Sequence, residues 1–391
     1  MPDEKKIETA LDKFYYRYDK FNSNVLKKLG NIVKQFDGLN YEEAHALAQE
    51  LKIGYDLYEM ELELSKISGK SVRDVDILLE KIARENVEFS EAYYKAKHMD
   101  YIQYDNNMRI QYYVESVKKQ TNDLFRNLAN SQNIGFTIKD NKNNIIYKPL
   151  KNVYNDLVDE AVFNVSLGVE DYQSAMENTL RNLADSGIKI HEEKLGYKSG
   201  YNRRLDSAIK QNILTGMRQI NIGIQEQIGE ELGADGVEIS AHYPCANDHL
   251  DIQGKQFSKE KFEKLNGSLT RPIGELNCRH FVFSIIMGVQ EPSHTDAMLE
   301  QFKQESLAKV EYEGKTYTKY EATQVQRKLE TAIRRQKDRN IIAKSSGNEK
   351  EKAKSQEKIR QLTAKYNNFS KSTGLRTYKN RLRVVGYDDK K

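Results

Sequence analysis

The sequence predicts an α+β protein, predominantly helical, in which long N- and C-terminal helical regions flank a small Cys/His-containing α+β module. Three observations predict it. The 391 residues include five Pro, no Trp and 31% charged residues, a composition that suits long helices. Apolar residues recur three and four apart along both flanks, which is the helical period. That period fails over Ser240–Val289, where glycines collect and both cysteines stand, and three of the five prolines lie between Pro244 and Pro292. A chain of this length has room for more than one hydrophobic core. The changes of pattern divide it into residues 1–130, 131–235, 236–295 and 296–391.

From Lys5 to about Arg126 the pattern is helical. EAHALAQELKIGYDLYEMELELSKI keeps apolar residues at helical spacing, and SVRDVDILLEKIARENVEF opens at Ser71, a candidate N-cap. The aromatic clusters FYYRYDKF and EAYYKAKHMDYIQYDNNMRIQYYV read as packing surface rather than as a cofactor-binding face. Next, IGFTIKDNKNNIIYKPL places two β-favouring runs around an Asn-rich turn, which predicts a hairpin. Helices resume in VYNDLVDEAVFNVSLG and VEDYQSAMENTLRNLADSGIKI, the second closed by Gly187. The stretch from Ser199 to Gly236 reads as the longest central helix. In it Leu205, Ile209, Ile213, Met217, Ile220, Ile224 and Ile228 share one face, with Arg203, Lys210, Gln211 and Glu231 opposite. Gly233 and Gly236 end it, and VEISAH begins a strand. HFVFSIIMGV reads as a further apolar strand and YEGKTYT as a turn or hairpin. Two charged helices, YEATQVQRKLETAIRRQKDRNIIAKS and NEKEKAKSQEKIRQLTAKYNNFSKSTG, are expected to pair antiparallel through a connection near Ser345–Asn348.

Charge and hydropathy narrow the classes of function. The N-terminal stretch is charged and lacks the apolar core of a signal peptide. No run approaches the roughly 18 apolar residues of a spanning helix, so no membrane role is expected. Net charge is +4, but Glu321–Lys391 carries 20 Lys/Arg against 8 Asp/Glu, a local +12 on an otherwise acidic chain. Such a basic C-terminal arm suits an acidic partner surface or nucleic acid, or else is a solvated helical arm. Neither a P-loop nor a nucleophile elbow is present, and no small-molecule substrate is implied.

The chemistry-bearing residues gather in one window. Both cysteines (Cys245, Cys278) and three of the seven histidines (His242, His249, His280) lie in it. Two cysteines argue against a disulfide framework, although the spacing permits a single Cys245–Cys278 bridge. H-x2-C-x3-H followed by C-x-H supplies enough N and S donors for zinc, with His242, His249, Cys278 and His280 as the candidate ligands. The spacing differs from ordinary zinc-finger pairs, in which both halves are short knuckles. A metal-dependent nuclease or other enzyme is a second reading, and it would need Asp248, His249 or Glu275 to converge on a cleft. The third and preferred reading is a polar structural knot. In it histidines and Asn277 bond turn backbone, Arg279 clamps a carboxylate and Cys278 packs as a small apolar group. No cofactor is then needed, and zinc stays as the alternative.

Six ordered segments carry a resemblance: VSLGVEDYQSAMENTLRNLADSGI, RRLDSAIKQNILTGMRQ, ELGADGVEISAH, HLDIQGKQFS, LNCRHFVFSIIMGV and YEATQVQRKLETAIRRQKD. Together they cover roughly Phe163 to Arg339, and the chain resembles the phage minor capsid protein 2 family and, more distantly, the Mu-type minor head proteins. His242, His249, Gln253, Gly254, Asn277, Cys278, Arg279 and His280 match that pattern. Cys245-Ala246-Asn247 depart from it, and Ile252 stands where a Trp is common, so the pattern does not require Cys245. The resemblance implies a shared structural device around Gln253, Gly254, Asn277 and Arg279. It also implies a structural virion protein acting in head morphogenesis near the portal, present in host cytoplasm during assembly. Expected partners are the portal or major capsid protein, with packaged DNA reached by the basic C-terminal region. A DNA-binding or toxin-like protein outside the virion is the remaining alternative.

Overall fold

The computed structural model describes residues 4–128, 133–139, 142, 144–169, 172–192, 201–270, 272–274, 278 and 280–388. Helix prevails, as composition and periodicity demand. The N-terminal region holds α1 (Glu4–Gln35), α2 (Tyr41–Lys52), α3 (Tyr55–Ala96) and α4 (Met108–Asn127). Asn40 starts α2 through a capping box, its side chain accepting from the Glu43 amide while the Glu43 carboxylate accepts from the Asn40 amide. Gly54, at φ +88°, separates α2 from α3. Ser71 caps nothing: α3 runs through it for 42 residues, and Ser71 is buried. The buried row Leu57, Met60, Leu64, Ser68, Ser71, Val75, Leu79 continues in steps of three and four, so the serines are small members of one packed face.

The middle of the chain supplies β1 (Ile134–Lys139), β2 (Ile145–Pro149), α5 (Leu150–Ser166), α6 (Tyr172–Ser186), β3 (Lys189–Glu192), β4 (Tyr201–Arg204) and α7 (Leu205–Glu231). The expected hairpin is β1–β2, with Phe136 opposite Lys148 and Ile138 opposite Ile146. Strand β3 joins β1, and β4 joins β3, in the order β2-β1-β3-β4. The expected central helix is therefore shorter than its sequence pattern, because Tyr201–Arg204 is drawn into the sheet. At 27 residues α7 is outrun by α3. Its expected face holds, with all seven residues from Leu205 to Ile228 buried.

The remaining elements are β5 (Gly236–Ile239), β6 (Gln256–Ser258), α8 (Lys259–Ser268), β7 (Val282–Ile285), α9 (Asp296–Leu307), β8 (Lys309–Tyr312), β9 (Lys315–Thr318), α10 (Lys319–Ser346), α11 (Glu349–Ser372) and α12 (Lys379–Leu382). The β8–β9 hairpin turns on Glu313 and Gly314, both at positive φ, the geometry that matches strand twist in a two-residue turn.

Two compact units emerge, each discontinuous in sequence. The first comprises residues 1–11, 71–124 and 210–324, the second residues 12–70, 125–209 and 325–391. In the first unit α7 packs closely on α4. Glycines 216 and 223 leave room there for Thr121 and the Tyr113 ring, whose hydroxyl donates to the Gln219 carbonyl at 2.8 Å. Beyond α7, β5 lies between antiparallel β6 and β7, with Val237 opposite both Phe257 and Ser284. Val237, Ile239, Ile252, Phe257, Ile273, Cys278 and Val282 form the core of this small sheet, and Phe262 and Leu265 of α8, with Leu269 just beyond it, pack against it.

In the second unit α10 and α11 pair antiparallel through Gly347 and Asn348, as expected. Asn340 Nδ2 meets Ser355 Oγ at 2.9 Å, Tyr366 hydroxyl meets Glu330 Oε1 at 3.3 Å, and Gln326 Nε2 meets Ser370 Oγ at 2.8 Å. The basic C-terminal region is built into this unit rather than projecting as an arm. Val384 and Val385 are buried, and the Val385 amide donates to Asp19 Oδ2 on α1 at 2.6 Å. Beneath them lies a buried ion network of Arg204, Asp206, Arg334, Asp338 and Asp19.

Candidate metal centre

The Cys/His window sits at one end of the first unit's small sheet, where β5 ends and β6 and β7 begin. Residues 240–254 leave β5 and return to it. The Gly254 amide donates to the Ile239 carbonyl at 2.8 Å, and Gly254 at φ +69° makes the closing turn. A Cβ there would also strike Leu299 on α9. Inside this closed loop a 3-10 turn, Asn247–His249, places the His249 side chain inward. From the β7 side Cys278 and His280 enter just before Val282, and Ser240 ties the edge by accepting from the Phe281 amide at 2.9 Å.

Gln253 is the organising group. It is 1% exposed, and its Oε1 accepts the His242 amide at 3.1 Å while lying 3.3 Å from His280 Nε2. A backbone N–H must be met by the amide oxygen, which fixes the orientation of the Gln253 side chain. The proton between Oε1 and His280 must then be on Nε2. Burial, with His242, His249 and Arg218 nearby, pushes the His280 pKa down to about 2. The ring is therefore neutral, and its Nδ1 presents a lone pair toward Cys278 Sγ, 3.4 Å away.

His280 divides the cluster in two. On its Nδ1 side lie Cys278 and His249, with Cys278 Sγ at 4.0 Å from His249 Nδ1. On its Nε2 side lies Cys245, its Sγ 3.8 Å away, while the His242 ring packs against the His280 ring with centroids 4.4 Å apart. Each side gathers three donor atoms within 4.8 Å. The four residues expected to share one ion are thus brought together, but His242 groups with Cys245 and His280 rather than with Cys278. Cys245, which the family pattern did not require, takes a place beside His280. Its amide donates to Ser306 Oγ at 3.4 Å, a partner that lies 61 residues away and gives no local signal. Both cysteines are free thiols, so the Cys245–Cys278 bridge that the spacing permitted is not formed.

Burial would raise the Cys278 thiol. The neighbouring His249 ring and the amides of Gly274 and His280 outweigh it and hold the pKa below the ordinary thiol value. Asp248 Oδ2 lies 4.0 Å from His249 Nε2. Asn277, Arg279 and Glu275 fall outside the described residues. Among those described, the groups of three or more metal-donor side chains are these two, neither containing a carboxylate. Their buried thiol and imidazole donors suit holding an ion or a hydrogen-bond knot more than activating a substrate. No described helix is long and apolar enough to cross a membrane.

The family model for phage minor capsid protein 2 matches residues 3–371, well beyond the Phe163–Arg339 stretch that carried the resemblance. Neither a curated protein nor a solved structure matches the chain.

Proposed function

The chain belongs to the phage minor capsid protein 2 family, and we propose that within the virion it is a structural, non-enzymatic head protein acting in head morphogenesis near the portal. The observation that carries this reading is the length of the match, which runs through segments of both units. A fused effector would instead need a stretch foreign to the family pattern.

Two surfaces support contact with other head components. In the second unit Ile53, Tyr55 and Tyr58 are 85, 72 and 61% exposed around the α2–α3 turn. Exposed tyrosines clustered with an aliphatic residue are the chemistry of protein–protein anchors, and the portal or major capsid protein is the partner this reading assigns to them. On α11, Lys350, Lys354 and Lys358 follow one another at four-residue spacing on the exposed side. That row suits phosphate contacts to packaged DNA. Assembly in host cytoplasm follows from the same reading.

The test is incorporation into heads. Tagged protein expressed during infection should co-sediment with heads and crosslink to portal or major capsid protein. Tyr55→Glu with Ile53→Asp should lower its head content at least severalfold while the purified variant keeps its melting temperature. Heads that contain none of the wild-type chain would sink the proposal.

A further inference from the structure

We propose that His249, Cys278 and His280 supply three ligands, His249 Nδ1, Cys278 Sγ and His280 Nδ1, to one bound zinc ion. The inference rests on the geometry of the cluster and stands or falls separately from the head role.

Two three-donor groups share His280, and the hydrogen bonds choose between them. A ligand nitrogen must offer a lone pair. Gln253 Oε1, already oriented by the His242 amide, takes the proton on His280 Nε2 at 3.3 Å. That leaves Nδ1 as the metal-binding edge, and Nδ1 faces Cys278. The group formed with His242 and Cys245 would need Nε2 instead, at the expense of the Gln253 contact. Metal-bound histidines generally donate their second ring N–H to an oxygen acceptor, and this outer contact fixes the tautomer. Gln253 stands in that place for His280. Asp248, 4.0 Å from His249 Nε2, stands on the corresponding side of His249.

Distances and burial agree with the assignment. Ligands of tetrahedral zinc, at about 2.3 Å for sulfur and about 2.0 Å for nitrogen, lie about 3.3–3.7 Å from one another. Cys278 Sγ is 3.4 Å from His280 Nδ1 and 4.0 Å from His249 Nδ1. A small side-chain rotation closes the second gap. The His280 amide donates to Cys278 Sγ at 3.4 Å, a bond that favours the thiolate needed as ligand. His249, Cys278 and His280 are 3, 9 and 1% exposed, which suits an ion that locks the sheet end. On binding, the Cys278 S–H bond breaks, sulfur donates its pair to zinc, and the proton passes to solvent.

The full-length protein, purified without chelator or added metal, should carry about one zinc per chain by elemental analysis. Cys278→Ser and His249→Ala should each lower that content at least about tenfold, while Cys245→Ser and His242→Ala retain it. Replacement by cobalt should give a sulfur-to-metal absorption band of single-thiolate intensity, lost in Cys278→Ser and kept in Cys245→Ser. If Cys278→Ser fails to fold, the wild-type metal content, and the cobalt band of the well-folded Cys245→Ser protein, still decide the matter. Metal-free wild-type protein that gains no thermal stability on zinc addition would overturn the proposal in favour of a hydrogen-bonded knot. Loss of zinc on removing Cys245 would overturn it in favour of the Nε2-side group.

Discussion

Asp19 and Asp206 both face Arg334, yet the second unit drives their acidities apart. Burial raises a carboxyl pKa. At Asp206 the guanidiniums of Arg334 and Arg204 overcome burial and hold the carboxyl well below its usual range. At Asp19 burial prevails over Arg334 and the Val385 amide, and the pKa rises to about 6. A raised folded-state value means that folding takes up a proton at Asp19. Its stabilising contribution is complete below the unfolded value of 3.8 and is lost as pH rises through about 6. Between pH 7 and pH 4 wild-type stability should therefore rise relative to Asp19→Asn, by up to about 3 kcal/mol. Urea titrations of both proteins across that window check it, and parallel pH profiles would refute the assignment. Arg334→Met should cost about 3 kcal/mol at pH 7, because it leaves the buried Asp206 carboxylate with Arg204 as its remaining guanidinium partner. The sequence showed none of this network, since Asp19, Asp206 and Arg334 are far apart in the chain and charged residues are everywhere. It did show that His242, His249, Cys278 and His280 belong together. What it hid was the part played by Gln253, whose amide settles which edge of His280 looks at Cys278.

At the scale of elements, periodicity was a sound guide wherever burial followed a single helical face. The seven apolar residues of α7 and the α10–α11 hairpin came directly from spacing. Strands β3, β4 and β6 did not, because β3, for one, exists through pairing with Ile134 and Gly135 on β1, more than 50 residues upstream. Ser71 misled for a related reason: a small polar residue marks a cap locally, but here it marks close packing. Helix α9 passed unnoticed although Thr295 caps it by accepting from the Met298 amide, a signal shared with many turns. Close packing gives its own prediction in the second unit. At Gly30 on α1, an added Cβ would collide with the Ile342 carbonyl and the Ser345 side chain on α10. Backbone cannot rotate away, so Gly30→Ala should destabilise the protein by about 1–3 kcal/mol. Thermal unfolding would register this as a lowered midpoint, and an unchanged midpoint would mean that α1 and α10 do not approach as described.

Across the whole molecule the unequal distribution of charge is the feature with most bearing on function. Residues 321–391 carry a local +12, and the expected arm would have exposed all of it. Folding changes that count. Arg334 is consumed by Asp206, Arg339 by Asp185, and Lys337 by Asp388 together with the Leu382 carbonyl. These cations stabilise the second unit and are committed to protein partners. What reaches solvent in regular array is the row Lys350, Lys354 and Lys358 on α11, of which Lys354 also lies beside Glu177 and Glu351. Removing the region by truncation is consequently a poor test of DNA contact, since it would also delete Tyr366, Phe369 and Val385 from the core. Neutralising the row to Gln leaves the buried face of α11 intact. Each phosphate contact on duplex DNA contributes about −0.9 to the slope of log affinity against log salt. The triple Gln variant should therefore bind DNA more weakly at low salt, with a slope shallower by about 2–3, while its melting temperature stays near wild type. Equal slopes for the two proteins would show that the row touches no phosphate, and would leave the basic residues of this region with the structural work alone.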